Sequence, residues 1–388
     1  MKPKKIVVLG YMGAYPIAGV IWQHVHYLVG LQRLGHEVYY IEDSARLPYN
    51  PLRHAEEADY THAVRTLGSL AAKFGFRERW AFRARYLPER PCVGLSGEKI
   101  DALYQQADAI LNVCGWHELH QDLLASERII MVESDPGFSQ IRVDQGDAKT
   151  VENLRRHRRL FTFGENIGTA RFPVPLHGLE WLPTRQPVVT EFWDTRGQAP
   201  AGNAFTTITN WSASETIRWR GKAYLWSKSE EFMKFVDAPA STGAPFELVT
   251  AFPDVATQAL FARHGWRTVL PDAVHLDLDR YRGYVQDSRG EFTASKQVVV
   301  AIDTGWFSDR SACYLAAGRP VITQQTGFTR LYGGERGLFA FTTMEEVVEA
   351  VQRIQADYAA HAQAAREIAR EYFEAEKVLK SLLERAGL

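Results

Sequence analysis

Cysteine is scarce in this chain of 388 residues: Cys92, Cys114 and Cys313 stand far apart, with no C-x-x-C pair. That excludes a disulfide framework or clustered zinc site and suits a reducing, cytoplasmic compartment. Net charge is also missing. Lys and Arg number 45 and Asp and Glu 46, a formal charge of −1, so no overall field draws the chain to nucleic acid or an anionic membrane. No run approaches the roughly 20 apolar residues of a membrane helix, so no stable membrane span is expected. Solenoid periods and low-complexity tracts are absent. So is the G-x-G-x-x-G dinucleotide fingerprint: Gly10, Gly13 and Gly19 follow the first strand at other spacings, which argues against NAD. Lys4-Lys5 and the following Ile-Val-Val-Leu-Gly read as a first core strand rather than a secretory leader.

What is present is enough apolar residue for more than one core: 46% of the chain is hydrophobic, with 10 Trp and 16 Tyr. The aromatics read first as large core residues and second as surfaces on which sugars stack. Strand Ile6–Gly10, a glycine loop, helix Ile21–Leu34 stopped by Gly35, and strand His36–Ile41 form a βαβ unit, which calls for a parallel sheet. Asn50–Arg90 reads as mostly helical. Its end interleaves Arg77, Arg79, Arg83 and Arg85 with Trp80, Phe82 and Tyr86, either a solvated helix face or a contact for an anionic acceptor. Strands over 109–113, 128–132 and 160–163 then end in polar tips at Gly115–His117, Glu133–Gly137 and Glu165. Ligands of open parallel sheets gather at such tips. Pro173, Pro175, Pro183 and Pro187 mark a stiff connection and a domain boundary.

The second half alternates again. Strand Phe205–Thr209 ends at Asn210-Trp211, a polar insert carries Arg218, Arg220 and Lys222, and a helix opens at Ser227. The apolar run Gln297–Ile302 reads as a buried strand. After it, Gly305 makes a turn and Ser308 or Asp309 caps a helix Ser311–Ala317 that stops at Gly318. Free N–H groups and the helix dipole at such a turn make an anion site, and Arg310 adds a planar charged fork. The expected ligand is the diphosphate of a nucleotide sugar, held by Gly305, Ser308, Asp309, Arg310 and Ser311. Asp277-Leu278-Asp279 has the D-x-D form of a metal motif, but it opens a helix where Asp279 fits the N-cap, and no metal is expected.

Two α/β halves, the glycine loop, the prolyl linker and A-x-G-R-P-V-I over Ala316–Ile322 resemble a GT-B fold glycosyltransferase with a carboxy-terminal domain of the group-1 or group-4 kind. The resemblance is best over 290–388 and holds over 1–45. It implies two Rossmann-like domains facing each other across a cleft: an acceptor domain at 1–178, a linker at 179–203, a nucleotide-sugar domain at 204–357, and a helical tail at 358–388 crossing back. It implies sugar transfer from a nucleoside-diphosphate sugar, such as a UDP-sugar, without a metal or other cofactor. Lys228 matches the basic residue that neutralises the leaving diphosphate, with Lys222 and Arg220 as rivals, and Trp211 is a further donor-side residue. Relatives with an inverting mechanism place a histidine base near His24; Asp135 is the second candidate, against its plainer role as a turn residue before Pro136. Gly13, Tyr15 and His117 fall on the acceptor side. The two glutamates many relatives carry are replaced by Gly305 and Cys313, which leaves the ribose contact unassigned. An epimerase of the same fold and a non-catalytic sugar- or nucleotide-binding protein are the alternatives. The acceptor stays open among a small molecule, a glycan, a lipid and a modified nucleic acid.

Overall fold

A computed structural model describes residues 2–211 and 213–388. The first half contains β1 (Lys5–Leu9), β2 (Glu37–Glu42), the small hairpin β3 (Tyr49–Asn50) and β4 (Ala55–Glu56), β5 (Trp80–Arg83), β6 (Cys92–Gly94), β7 (Ala109–Val113), β8 (Ile129–Glu133), β9 (Arg159–Thr162) and β10 (Trp181–Pro183). Among the described residues these give an eight-stranded sheet of order β10-β9-β8-β7-β1-β2-β5-β6, the hairpin standing apart. Pairing is parallel except between β5 and β6. β1, β7 and β8 are apolar almost throughout and buried on both faces, as central parallel strands must be. β10 joins the edge of this sheet, so the first domain runs past residue 178 into the expected linker.

The second half contains β11 (Phe205–Ile208), a hairpin of β12 (Thr216–Trp219) and β13 (Lys222–Leu225), then β14 (Phe246–Val249), β15 (Trp266–Val269), β16 (Gly290–Thr293), β17 (Val321–Gln324) and β18 (Leu338–Phe341). Its main sheet has order β15-β14-β11-β16-β17-β18, all parallel, with the order reversing at β11. An aromatic core fills one side, where Phe246, Trp266, Phe292 and Phe341 meet at centroid distances of 5.1–5.8 Å.

Two elements differ from the sequence reading. Gln297–Ala301 is a helix, and the strand is the polar Gly290–Thr293 before it. Val298 and Ile302 lie four apart on one helix face and press on Gly137 of the first domain. Glu291 is tolerated in the core strand because Arg310 meets it there. The Trp80–Arg83 segment is strand β5, not part of a helix, and its arginines are spent inside the domain. Arg83 and Arg85 both bond the buried Asp43, at 2.6 and 2.5 Å. Arg83 and Arg85 therefore serve the domain's own carboxylates, Asp43 with Asp101 and Asp122, rather than an outside anion, while Arg77 stays exposed.

The carboxy-terminal chain bends through Ala369–Phe373 and breaks at Glu374, and helix Ala375–Arg385 returns to lie on helix Ala18–Arg33 of the first domain. A Cβ at Gly30 would sit 2.6 Å from Leu379 Cδ1 and 2.9 Å from Ala375 Cβ, so the crossing needs glycine there. At the base of the cleft Asn166 donates to Thr304 O (2.9 Å) and Asp303 O (2.8 Å). Lys73–Asp279 (2.9 Å) and His54–Asp272 (3.3 Å) tie the two halves further along the cleft.

Candidate functional site

Between the domains lies a cleft of about 960 Å³. It sits outside the carboxyl ends of both sheets, where the tips of parallel strands leave room for a ligand. The first domain lines it with Tyr15, Ile17, Gln23, Tyr49 and Asp135; the second contributes Trp211, Trp226, Lys228, Lys296, Trp306 and the Ser308–Arg310 turn.

Helix Asp309–Ala316 points its N-terminus into this cleft. Ser308 is its N-cap in extended backbone and its hydroxyl makes no capping bond, while the Asp309 carboxylate lies against the backbone N–H of Arg310. Asp309 in the first turn is held above the usual carboxylate range, by burial first, with Asp135 adding to it while Arg310 and Lys228 oppose it. Lys228 precedes helix Ser229–Met233 and faces the same space. Burial, then Arg310 and Lys296, bring its ammonium down from 10.5 to about 7. No carboxylate or carbonyl among the described residues bonds that ammonium; Trp306 is 5.9 Å away. Trp211 is a buried wall, packed on Phe252 and Phe261 at 4.8 and 5.0 Å. Tyr15 and Tyr49 stack on each other at 5.0 Å on the opposite side.

Several expected residues do other work. Arg310 gives Nε to Glu291 at 2.6 Å, one terminal nitrogen to Ile208 O at 2.6 Å and the other to Thr293 Oγ1 at 2.9 Å. Its fork is filled by the domain's own core, so it is not a free phosphate ligand. Gly305 N donates to Thr326 O (2.6 Å), and a Cβ there would lie 2.8 Å from Asn166 N. Its glycine serves a close approach of the two domains at φ +74°, not a phosphate cradle. Ser311 is fully buried with its hydroxyl turned inward. Lys222 is exposed on the β12–β13 hairpin, away from the cleft lining.

On the acceptor side, Gly13 N bonds Glu42 Oε1 at 2.6 Å inside the loop and does not reach the cleft. His117 is buried and its Nε2 accepts from Asp43 N at 2.9 Å. His24 is sealed beneath Tyr11 and Tyr40; its Nδ1 bonds Val20 O at 2.8 Å, and burial brings its ring down to about 4. A ring with no exposed atom cannot take a proton from an acceptor in the cleft, so His24 is set aside as the base. Asp135 does open to the cleft, with 45% of its side chain exposed. Asp279 ion-pairs with Lys73 (2.9 Å) and Arg282 (2.9 Å), and Asp277, not Asp279, is the N-cap of helix Leu278–Asp287. Both aspartates of the D-x-D are thereby used.

Ile17, Gln23, Tyr49, Trp226, Trp306 and Lys296 line the cleft without having been expected there, and Lys296 is the charged one among them. Lys296 precedes helix Gln297–Ala301 and reaches Asp135 across the domains at 2.7 Å. Its signal, a lysine at the start of a helix three residues past a strand, was hidden because strand and helix were exchanged in that region.

No family model matches the chain, and no curated protein matches it by sequence. Solved structures do match it over its full length. AviGT4, a glycosyltransferase involved in avilamycin A biosynthesis, superposes with a TM-score of 0.57 at 11% identity, over 99% of this chain and 97% of that one. An alpha-glucosyltransferase in complex with UDP and a 13-mer DNA containing a HMU base gives 0.60 at 10% identity, over 100% of both. Anabaena HepE in complex with UDP-glucose gives 0.58 at 12% identity, over 99% of both. The fold is therefore the two-domain GT-B fold.

Proposed function

We propose that the protein is a glycosyltransferase that moves a sugar from a nucleoside-diphosphate sugar to an acceptor hydroxyl in the interdomain cleft. One observation carries this reading: Lys228 and the N-terminus of helix Asp309–Ala316, where Ser308 makes no capping bond, converge on one wall of that cleft, and no anion among the described residues claims the ammonium. Structures of the same fold hold UDP or UDP-glucose, which supports a uridine nucleotide as donor. The reaction forms a bond from the acceptor oxygen to the anomeric carbon and breaks the bond from that carbon to phosphate oxygen. The electron pair leaves on the diphosphate, where Lys228 and the helix dipole offset the growing charge. A cation already in place makes a metal-independent reaction the reading we adopt. The acceptor proton needs a base, and Asp135 is the carboxylate that opens to the cleft from the first domain. A cytoplasmic setting fits the free thiols Cys92, Cys114 and Cys313.

The test is incubation with a panel of nucleotide sugars, UDP-glucose first, while free nucleoside diphosphate is measured. Slow hydrolysis of one donor is the expected outcome. Epimerised donor would instead make the protein an isomerase, and binding without turnover a binding protein.

A further inference from the structure

Lys296 and Asp135 come from opposite domains and meet in the cleft that Lys228 and Asp309 also line. The ammonium lies 2.7 Å from Asp135 Oδ1 and 3.9 Å from the ring centroid of Trp226. Only 16% of the lysine side chain is exposed, against 45% of the aspartate's. Lys296 is thus confined in place, walled by an indole face, while its partner carboxylate looks into the open cleft. The pair is closed on itself in this structure. A nucleoside diphosphate on the Lys228 wall brings more negative charge than one carboxylate, on strong acceptor oxygens, and competes for the same ammonium.

We propose that Lys296 is a second donor-binding cation that changes partner, from Asp135 in the empty cleft to the diphosphate in the loaded one. Asp135 Oδ1 is then released to accept the acceptor's hydroxyl proton only after the donor has arrived. The exchange rests on the donor reading above and adds an order of events to it. It also fixes a sign. Because the carboxylate and the diphosphate compete for one ammonium, their binding to it is reciprocally coupled, and removing the carboxylate must tighten the donor. A carboxylate that only braced the domains or hydrogen-bonded the donor would give the opposite result.

The experiment is calorimetric titration of UDP into wild type, Asp135→Asn, Lys296→Met and the double variant, with donor hydrolysis measured alongside. Asp135→Asn is expected to bind UDP about twofold to fivefold more tightly, the size of a partly exposed ion pair, while losing turnover. Lys296→Met is expected to bind about tenfold more weakly, and in that background the aspartate change should no longer tighten binding. Lys296→Arg keeps the charge and is expected to stay much nearer wild type; a loss equal to that of Lys296→Met would contradict the role of charge. Weaker or unchanged UDP binding in Asp135→Asn, with wild type binding UDP, would overturn the exchange and leave the donor reading standing. Failure of wild type to bind any nucleoside diphosphate would remove the donor reading, and the exchange with it.

Discussion

The two walls of the cleft rest on sheets of the same parallel kind, yet they handle positive charge in opposite ways. On the amino-terminal side the arginines nearest Glu118 and the buried Asp43 are consumed. Arg83 and Arg85 close on Asp43, and Arg46 lies on Glu118 and the face of Trp116. What that domain offers the cleft is mostly uncharged: Tyr15, Ile17, Gln23 and Tyr49. On the carboxy-terminal side Arg310 is likewise consumed, by Glu291, but Lys228 and Lys296 remain at the cleft surface. The positive charge that lines the cleft is carried by lysine ammoniums, while the rigid arginine forks hold the framework. On the proposed function this division calls for an anion on one wall and a neutral, hydroxylated group on the other. Within the basic-aromatic segment at 77–86, Arg83 and Arg85 are paired inside the domain and do not offer charge to an anionic acceptor.

The largest effect that would test this division is Arg310→Ala. It leaves Glu291 buried and unpaired, and breaking such a pair costs about 3–5 kcal/mol. The thermal midpoint should fall by several degrees and donor binding should fail together with the fold. Arg310→Ala at wild-type stability with selectively lost UDP affinity would return Arg310 to the donor site and blur the contrast between arginines and lysines.

A smaller effect sharpens the carboxy-terminal wall. Lys228 is brought down to about 7, so its charge is present below that pH and is lost above it. UDP affinity should fall by about fivefold or more between pH 7 and 9, a window in which the nucleotide's own phosphates no longer titrate. The slope should vanish in Lys228→Met. A rise in affinity with pH would have the wrong sign. Smaller again, Tyr49→Ala removes half of the stacked pair on the amino-terminal wall. It should raise the acceptor KM about threefold and leave the Kd for UDP unchanged. Equal losses for donor and acceptor would show that the walls are not separate sites.

The parallel sheets were legible because β1, β7, β8 and β14 are short apolar runs bounded by polar tips, a pattern buried strands impose on sequence. The helix opening at Asp309 was legible from its Ser-Asp start and Gly318 stop. Strand β16 was not, because its Glu291 is satisfied by Arg310, a partner 19 residues further on. Hidden strand and visible apolar run were then exchanged, and Lys296 disappeared between them. Tyr15, Trp211, Lys228 and Asp135 were placed at the cleft by their positions at strand and helix tips. Arg310 was assigned from its place at a helix start and His24 from its resemblance to relatives, and neither shows whether a guanidinium is already filled or an imidazole already sealed.

The most direct measurement is the calorimetric Kd of UDP for wild type and Lys228→Met at pH 6.5, where Lys228 carries its charge. Wild type should bind, and the variant should bind about 30-fold more weakly, the worth of a charged hydrogen bond. Its thermal midpoint should stay at or above that of wild type, because a half-buried ammonium without a protein partner adds nothing to the fold. Equal affinity in the two proteins would contradict a diphosphate site on the Lys228 wall.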